Sequence, residues 1–404
     1  MRILHIDKFL DPSALETHGG TCTVVRALSN LQRQAGHDVK EFYPRIAGAT
    51  TDLPGFVDYT RGGAANICRM IHDFDAADKL RRFLREHPVD VAHLHSIYHH
   101  LTPSILPVLA AARVPMVMTL HDYRMACPTK NFQDSAGLCT RCHPHRYYLA
   151  ARAACAGASG AALAIESYVQ RLARRYFSHI DFFLCPSDFL AGVLRQVGAP
   201  ASKVITAPNP IWPMEVVEPQ SERPMLLFAG RLVHQKDPAI LLELASRVRD
   251  VQIVIAGGGP MLESLIEQSR RLNLANVLLP GQLGRDDLAA QLGRCHALVL
   301  PSKCYENSPL SLLEAMSASR CVIAADQPPL QQWVNDGVTG RFFRAGDVES
   351  LQRVVTEVLG DATARDAMAA NGRALVRRLH DDGRVLEQVI GIYELAMRRS
   401  RWRI

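Results

Sequence analysis

Short apolar runs separated by longer amphipathic stretches are the feature that most restricts the fold of this 404-residue chain. Runs of this length are too short for helices, and where they are nearly continuous they suit strands buried on both faces of a parallel sheet. A first series lies at residues 3–6, 89–93, 116–120, 182–185 and 204–207. A second lies at 225–229, 251–256, 277–279, 297–300 and 321–324. Helical periodicity fills the gaps, for example over 21–34 (closed by Gly36), 260–272 and 309–317, and it dominates the tail from 348 to 403. Strand and helix in alternation predict βαβ units and parallel sheets.

Two such series make two domains, as the length also suggests. Between them the texture changes, with Pro208, Pro210, Pro213, Pro219 and Pro224 in quick succession. The expected organisation is a first α/β domain over 1–208, a linker over 209–224 and a second α/β domain over 225–380. Ligands of open α/β sheets bind beyond the carboxyl ends of the strands, so the residues after each strand carry the chemistry.

Composition narrows the partners. The net charge is +6 and charged residues make up 21%, a mild balance that suits anionic ligands or an anionic membrane surface and does not identify a nucleic-acid binder. Asp7 interrupts the first apolar run where a secretory core would continue, and Pro103, Pro107, Arg113 and Pro115 break the most apolar stretch, 101–120. The expectation is a cytoplasmic protein with no membrane span, able to touch the membrane from that side.

Three loops of the second domain stand out. After the strand at 225–229, Arg231 and Lys236 place two cations at a strand end, suited to a diphosphate whose charge grows as it leaves. Alone, such a pair reads as solvated surface charge. After 251–256, Gly257-Gly258-Gly259-Pro260 opens a helix, which allows close approach of a backbone or ligand without being a dinucleotide fingerprint. After 297–300, Glu306 precedes Ser308, Pro309 and Leu310, and Glu314 follows eight residues after Glu306. Ser308 is expected as the N-cap and Pro309 as the first helical residue. Glu306 then sits at the mouth of the helix and Glu314 on its body, with the positive helix end between them.

In combination these loops resemble glycosyltransferase family 4. The resemblance implies a GT-B architecture: two tandem Rossmann-like domains around a deep interdomain cleft, with the C-terminal helix, 381–404, crossing back to complete the first domain. It implies that Arg231 and Lys236 bind the donor diphosphate, that Glu314 binds the ribose and that Glu306 binds the donor sugar. Gly258, Ser308, Pro309 and Leu310 join that donor site. In the first domain, Gly19-Gly20 matches the family's N-terminal glycine loop at the donor phosphates, and His121, in Met118-Thr119-Leu120-His121-Asp122, matches its active-site histidine. Asn209 matches the domain junction, and the turn from Asp336 to Gly340 matches a late family turn. The implied activity is retaining, metal-independent hexosyl transfer from a UDP- or GDP-linked sugar to a lipid-linked or polysaccharide acceptor. The chain departs from the family at Asn307-Ser308, where Phe-Gly is frequent, and at Asp326-Gln327-Pro328-Pro329, where a glycine-rich loop is frequent. A nucleotide-sugar epimerase of the same fold and a non-catalytic nucleotide-sugar-binding protein are the alternatives.

Other features lie outside this pattern. Asp73-Phe74-Asp75 has the spacing of a metal-binding acid pair, but no clear strand precedes it, so it reads as the start of a helix. Cys127, Cys139, Cys142 and Cys155 have spacings compatible with a tetrahedral thiolate site for structural zinc, with His143 and His145 as substitutes, and equally with reduced thiols in a loop. Basic-aromatic stretches at 145–148, 171–177 and 398–404 suit either an anionic membrane surface or a solvated helix face.

Overall fold

A computed structural model describes residues 1–8, 20–44, 72–98, 101–130, 177–212 and 220–401, together with short runs and single residues between 132 and 175 and at 214, 216 and 218. The chain divides into two compact units. The first comprises Met1–Pro210 and Asp382–Ile404, the second Ile211–Asp381.

The first unit contains β1 (Arg2–Ile6), α1 (Gly20–Gln34), β2 (Asp38–Phe42), α2 (Phe74–Glu86), β3 (Val91–Leu94), α3 (Ile105–Ala111) and β4 (Met116–Thr119). A small antiparallel hairpin follows, β5 (Gln133–Asp134) with β6 (Gly137–Leu138), then α4 (Tyr148–Arg152), β7 (Phe182–Cys185), α5 (Asp188–Gln196) and β8 (Val204–Thr206). Six of these strands form one parallel sheet in the order β2-β1-β3-β4-β7-β8. Helix starts follow capping chemistry. The Asp73 carboxylate accepts from Ala76 N at 3.0 Å, and Ser187 Oγ accepts from Leu190 N at 3.2 Å. Asp73-Phe74-Asp75 is therefore a helix start, as expected.

The second unit runs β9 (Met225–Ala229), α6 (Ile240–Arg247), β10 (Gln252–Ala256), α7 (Leu262–Arg271), β11 (Val277–Gly281), α8 (Arg285–Arg294), β12 (Ala297–Leu300), α9 (Leu310–Ser317), β13 (Cys321–Ala325), β14 (Arg341–Phe343), α10 (Val348–Gly360) and α11 (Ala362–Leu379). Its parallel sheet has the order β11-β10-β9-β12-β13-β14. Alternate residues of each strand feed two different cores. Leu226 and Phe228, with Ile253 and Ile255, face one helix layer, while Met225, Leu227 and Val254 face the other. Burial on both faces is why these strands are nearly continuous apolar runs.

The last helix, α12 (Asp382–Arg401), belongs with the first unit. Val389, Ile392, Tyr393 and Ala396 pack into the same core as Ile3, Val91 and Val117. Gln388 Nε2 also donates to Thr206 O at 2.9 Å. The helical tail is thus three helices, broken where Asp361 caps α11 and again before Asp382. The proline-rich stretch also differs from a free linker. Ile211 and Met214 are buried in the second unit's core, and Ser221 N donates to Arg294 O at 2.9 Å.

Candidate active site

The sheet order of the second unit reverses between β9 and β12. In a doubly wound sheet this switch point opens a crevice at the carboxyl ends of the two strands. The two loops that leave it are joined. Lys303 N and Cys304 N both donate to Gln235 O, at 2.8 and 3.3 Å. Lys303 Nζ pairs with Asp237 Oδ2 at 2.8 Å, and Lys236 Nζ pairs with Glu306 Oε1 at 2.5 Å. Ser302 Oγ donates to the same Glu306 oxygen. Lys236 and Glu306, seventy residues apart in sequence, are thus one polar unit. Burial works against the charge on Lys236, but Glu306 more than compensates and holds the ammonium above the ordinary lysine pKa. Arg231 lies exposed at the mouth of the same loop.

Asp237 adopts a left-handed conformation (φ 48°) that ends the single turn His234–Lys236 and bends the chain back. The glycine loop after β10 braces this turn. Leu232 N donates to Gly258 O at 2.9 Å, and a Cβ on Gly257 would lie 1.8 Å from Gly230 O. Gly257 and Gly259 are therefore glycines so that the 230–232 loop can approach. Gly258 is less confined, its Cβ position being 3.1 Å from the flexible Gln282 side chain. The helix beyond opens at Leu262, not at Pro260.

The start of α9 also differs from expectation. Pro309, with extended backbone (φ −74°, ψ 107°), is the N-cap, and Leu310 is the first helical residue. Ser308 is not the cap, because Pro309 itself has a ψ of 107°, outside the helical region, so the helix starts one residue later than expected. The buried Ser308 Oγ has no hydrogen-bond partner. Glu314 lies mid-helix, half-buried, and burial pushes its carboxyl up to about 7 against the opposing pull of Arg285.

In the first unit the sheet reverses between β1 and β3, and here the strands themselves carry the polar groups. His5 pairs in register with His93, and Leu94 with Met118. Side chains of a strand alternate between faces, so His5, His93, His95 and Thr119 share one face, beneath α1 and α12. A chain of hydrogen bonds joins them. Gln32 Oε1 contacts His5 Nε2 at 2.7 Å, His5 Nδ1 contacts His95 Nε2 at 2.9 Å, and His95 Nδ1 contacts His121 Nε2 at 3.0 Å. Gln32 Nε2 donates to Tyr393 OH at 3.0 Å, which contacts His93 Nδ1 at 2.6 Å, and His93 Nε2 contacts Thr119 Oγ1 at 2.7 Å. Burial lowers the pKa of His5 and His121 to about 4, and that of His93 and His95 well below the usual histidine value, so all four rings are neutral.

Neutral imidazoles have one donor each, and Gln32 sets the direction. Its Oε1 accepts from His5 Nε2–H, so His5 Nδ1 accepts from His95, His95 Nδ1 accepts from His121, and His121 retains Nδ1 as an acceptor. One ligand nitrogen from each of His5, His93 and His95 falls within 4.8 Å of the others, a spacing that suits a metal ion. All six ring nitrogens of the trio are already engaged in this network, which makes it a proton-ordered relay ending at His121.

Of the expected residues, Arg231, Lys236, Glu306, Ser308, Pro309, Leu310 and Glu314 occupy the β9 and β12 edge and its helix. His121 ends its own relay, and Gly20 begins α1. Gly19, His143 and His145 lie outside the described residues. The four cysteines line one cavity, yet no three of their sulfurs come within 4.8 Å of one another. Among the basic stretches, Arg399 stacks over the Phe182 ring at 4.5 Å and so is turned onto its own unit. Ser302, Asp237, Gln32, His5, His93, His95 and Tyr393 were not foreseen. The His-x-His at 93–95, at a strand end, is the signal that marked them.

Comparison with known proteins accounts for most of the chain. The family described as Glycosyltransferase Family 4 matches residues 18–213, and Glycosyl transferases group 1 matches 214–375. An alpha-D-kanosaminyltransferase of Streptomyces kanamyceticus is 30% identical over 179 residues, which is 43% of this chain and 46% of that protein. The chain thus spans about half the length of that relative. A phosphatidyl-myo-inositol mannosyltransferase of Mycolicibacterium smegmatis is 25% identical over 95% of this chain and 92% of its own. Among solved structures, a sucrose-phosphate synthase from Thermosynechococcus elongatus superposes with a TM-score of 0.74 at 18% identity, covering 98% of each chain. Anabaena HepE, solved with UDP and glucose, superposes with a TM-score of 0.67 at 16% identity, covering 98% of this chain and 99% of its own. At these identities the structural matches establish the fold.

Proposed function

Since the chain belongs to glycosyltransferase family 4 and has the GT-B fold, we propose that it is a retaining hexosyltransferase that uses a UDP- or GDP-linked sugar and needs no metal for the chemistry. The observation that carries this reading is the Lys236–Glu306 pair at the switch point of the second sheet, beside exposed Arg231. A departing diphosphate accumulates negative charge, and fixed cations with the amides of a helix start offset it without reorganisation. Lys236 and Arg231 supply the cations, and Leu310 opens the helix. The Ser308 hydroxyl, buried without a partner, has a hydrogen bond to give. Glu306 takes sugar hydroxyls, and Glu314 takes the ribose.

His121 is the residue of the first unit that we assign to the reacting sugar, on the support of its relay. A neutral imidazole with its acceptor nitrogen set from behind can orient a hydroxyl or take a proton at that atom. Several relatives are named as mannosyltransferases, one of them GDP-mannose-dependent and acting on phosphatidylinositol monomannoside, and HepE binds UDP. These names favour a GDP- or UDP-sugar donor and a lipid-linked or glycan acceptor. The phosphatidylinositol lipids in those names support work at a membrane, and we assign it to the cytoplasmic face. Among the described residues no helix is long and apolar enough to cross a membrane.

The test is a thermal-shift panel of UDP, GDP, ADP and their common sugar conjugates on the parent and Lys236→Ala. Stabilisation by one nucleotide family, lost in the variant, is expected and names the base. No stabilisation by any nucleotide refutes the donor site. The anomeric configuration of the transferred sugar, read by NMR, tests retention.

A further inference from the structure

The chain leaves regular structure after Thr119, and six residues beyond His121 it reaches the first of four clustered cysteines. Cys127 ends a turn in which its N–H donates to Tyr123 O at 2.8 Å. The hairpin β5–β6 follows, and Cys139 N closes it onto Phe132 O at 2.7 Å. Cys142 sits three residues on, α4 comes next, and Cys155 closes the segment. The side chains of all four cysteines line one small cavity of about 10 Å³, with Phe132 among its other walls. Cys127, Cys142 and Cys155 are buried, Cys139 is half-buried, and none is in a disulfide.

We propose that Cys127, Cys139, Cys142 and Cys155 form a tetrathiolate site for one zinc ion, which staples the segment that follows His121. The cavity holds roughly one water-sized sphere, the scale of a single ion. An iron–sulfur cluster, with several iron and sulfide atoms, does not fit that space. Four thiols, with no carboxylate or imidazole among the residues that line the cavity, form a soft donor set suited to zinc. Since no three sulfurs are within 4.8 Å of one another, loading draws them inward. At a Zn–S length of about 2.3 Å, tetrahedral sulfurs lie roughly 3.8 Å apart.

The step balances as four thiols and one Zn²⁺ giving a tetrathiolate complex of charge −2 and four protons released to solvent. Arg141 Nε, donating to Cys139 Sγ at 3.3 Å, offsets part of that charge, and Thr129 Oγ1 is 3.2 Å from Cys127 Sγ. The regular structure of this segment is limited to two-residue strands and a five-residue helix, so we assign its order to the ion.

The full chain, purified without chelator, should carry about one zinc per molecule by mass spectrometry of the metal. A thiol-specific mercurial should release that zinc as four thiols react. Cys139→Ser/Cys142→Ser should hold less than about a tenth of it, while the nucleotide-dependent thermal shift of the second unit persists. Cobalt exchanged into the parent protein should give the thiolate-to-metal charge-transfer band of a tetrahedral site, a readout that survives if the double variant fails to fold. Parent protein that holds no zinc after incubation with it and dialysis, or zinc retained undiminished in the double variant, overturns the proposal. So does stoichiometric iron with visible absorbance.

Discussion

Replacing Glu314 by glutamine should make the unliganded protein more stable at alkaline pH and make its nucleotide binding insensitive to pH. Burial raises the Glu314 carboxyl from 4.5 to about 7, with Arg285 opposing. A group whose folded pKa is raised holds more protons folded than unfolded across that window. Stability therefore falls as pH climbs from about 4.5 to about 7 and levels off above it. At about 1.36 kcal/mol per unit, the shift amounts to about 3 kcal/mol. Glutamine keeps the shape and cannot ionise, so Glu314→Gln should lose this slope and exceed the parent by up to about 3 kcal/mol near pH 8. Binding runs the other way. Ribose hydroxyls donate to the carboxylate and favour its charged form, so the nucleotide should bind more tightly as pH rises through about 7 and release a proton there. Urea denaturation from about pH 5 to pH 8, followed through the buried Trp333 of the same unit, reads the stability. Titration calorimetry in two buffers of different ionisation enthalpy reads the proton. The same stability slope in parent and variant refutes the ionisation argument, and equal nucleotide affinity at every pH refutes the ribose role.

Lys236→Met takes the cation away from the Glu306 carboxylate, whose side chain is only 8% exposed, and should destabilise by about 2–4 kcal/mol. Adding Glu306→Gln should recover most of that in urea denaturation while nucleotide binding stays lost, and no recovery would mean the pair is not the cause. Gln32→Leu leaves the direction of the histidine relay unset, so kcat should fall roughly 10- to 100-fold with the donor KM little changed. An equal loss in donor binding would assign Gln32 to folding alone. Gly257→Ala, whose Cβ would lie 1.8 Å from Gly230 O at a backbone φ of +147°, should lower stability by at least about 3 kcal/mol. Gly258→Ala meets only a flexible side chain and should cost about 1 kcal/mol or less, so a loss of donor affinity in a stable Gly258→Ala protein would mark this position as a ligand contact.

The buried strands were legible because both faces of the sheet demand apolar residues. β7, β9 and β12 occupy the residues that their apolar runs predict. β2 was not, because an edge strand needs only one apolar face and Asp38, Lys40 and Glu41 break its run. β3 begins two residues later than expected, since Pro88-Val89-Asp90 is spent on the turn into the sheet. In the candidate site, Arg231, Lys236, Glu306 and Glu314 follow strands in short loops and one helix, and their positions after each strand could be read from the sequence. The Lys236–Glu306 contact could not, because it depends on β9 and β12 being neighbours, which strand order alone decides. Tyr393 was further out of reach. It joins Gln32 and His93 across 361 and 300 residues because α12 returns to the first unit.

The same topological rule has been used in two chemically opposite ways. Each sheet reverses once, and each reversal opens a crevice. In the second unit, fixed charge is carried on loops, where a half-buried Lys236 and an exposed Arg231 remain within reach of water and of an anionic ligand. In the first unit the polar groups sit on the strands, in a layer covered by α1 and α12, where an unpaired charge would be expensive. Imidazoles suit that layer because they can be neutral, and a neutral ring must pass its single proton to a neighbour in a fixed direction. Burial of His5, His93 and His95 is therefore what makes them directional. A cation among them would cost desolvation energy and would free none of their six nitrogens. The relay thus delivers to the strand end a histidine whose charge and proton position are both set from within the core, as Lys236 is set by Glu306 in the other sheet.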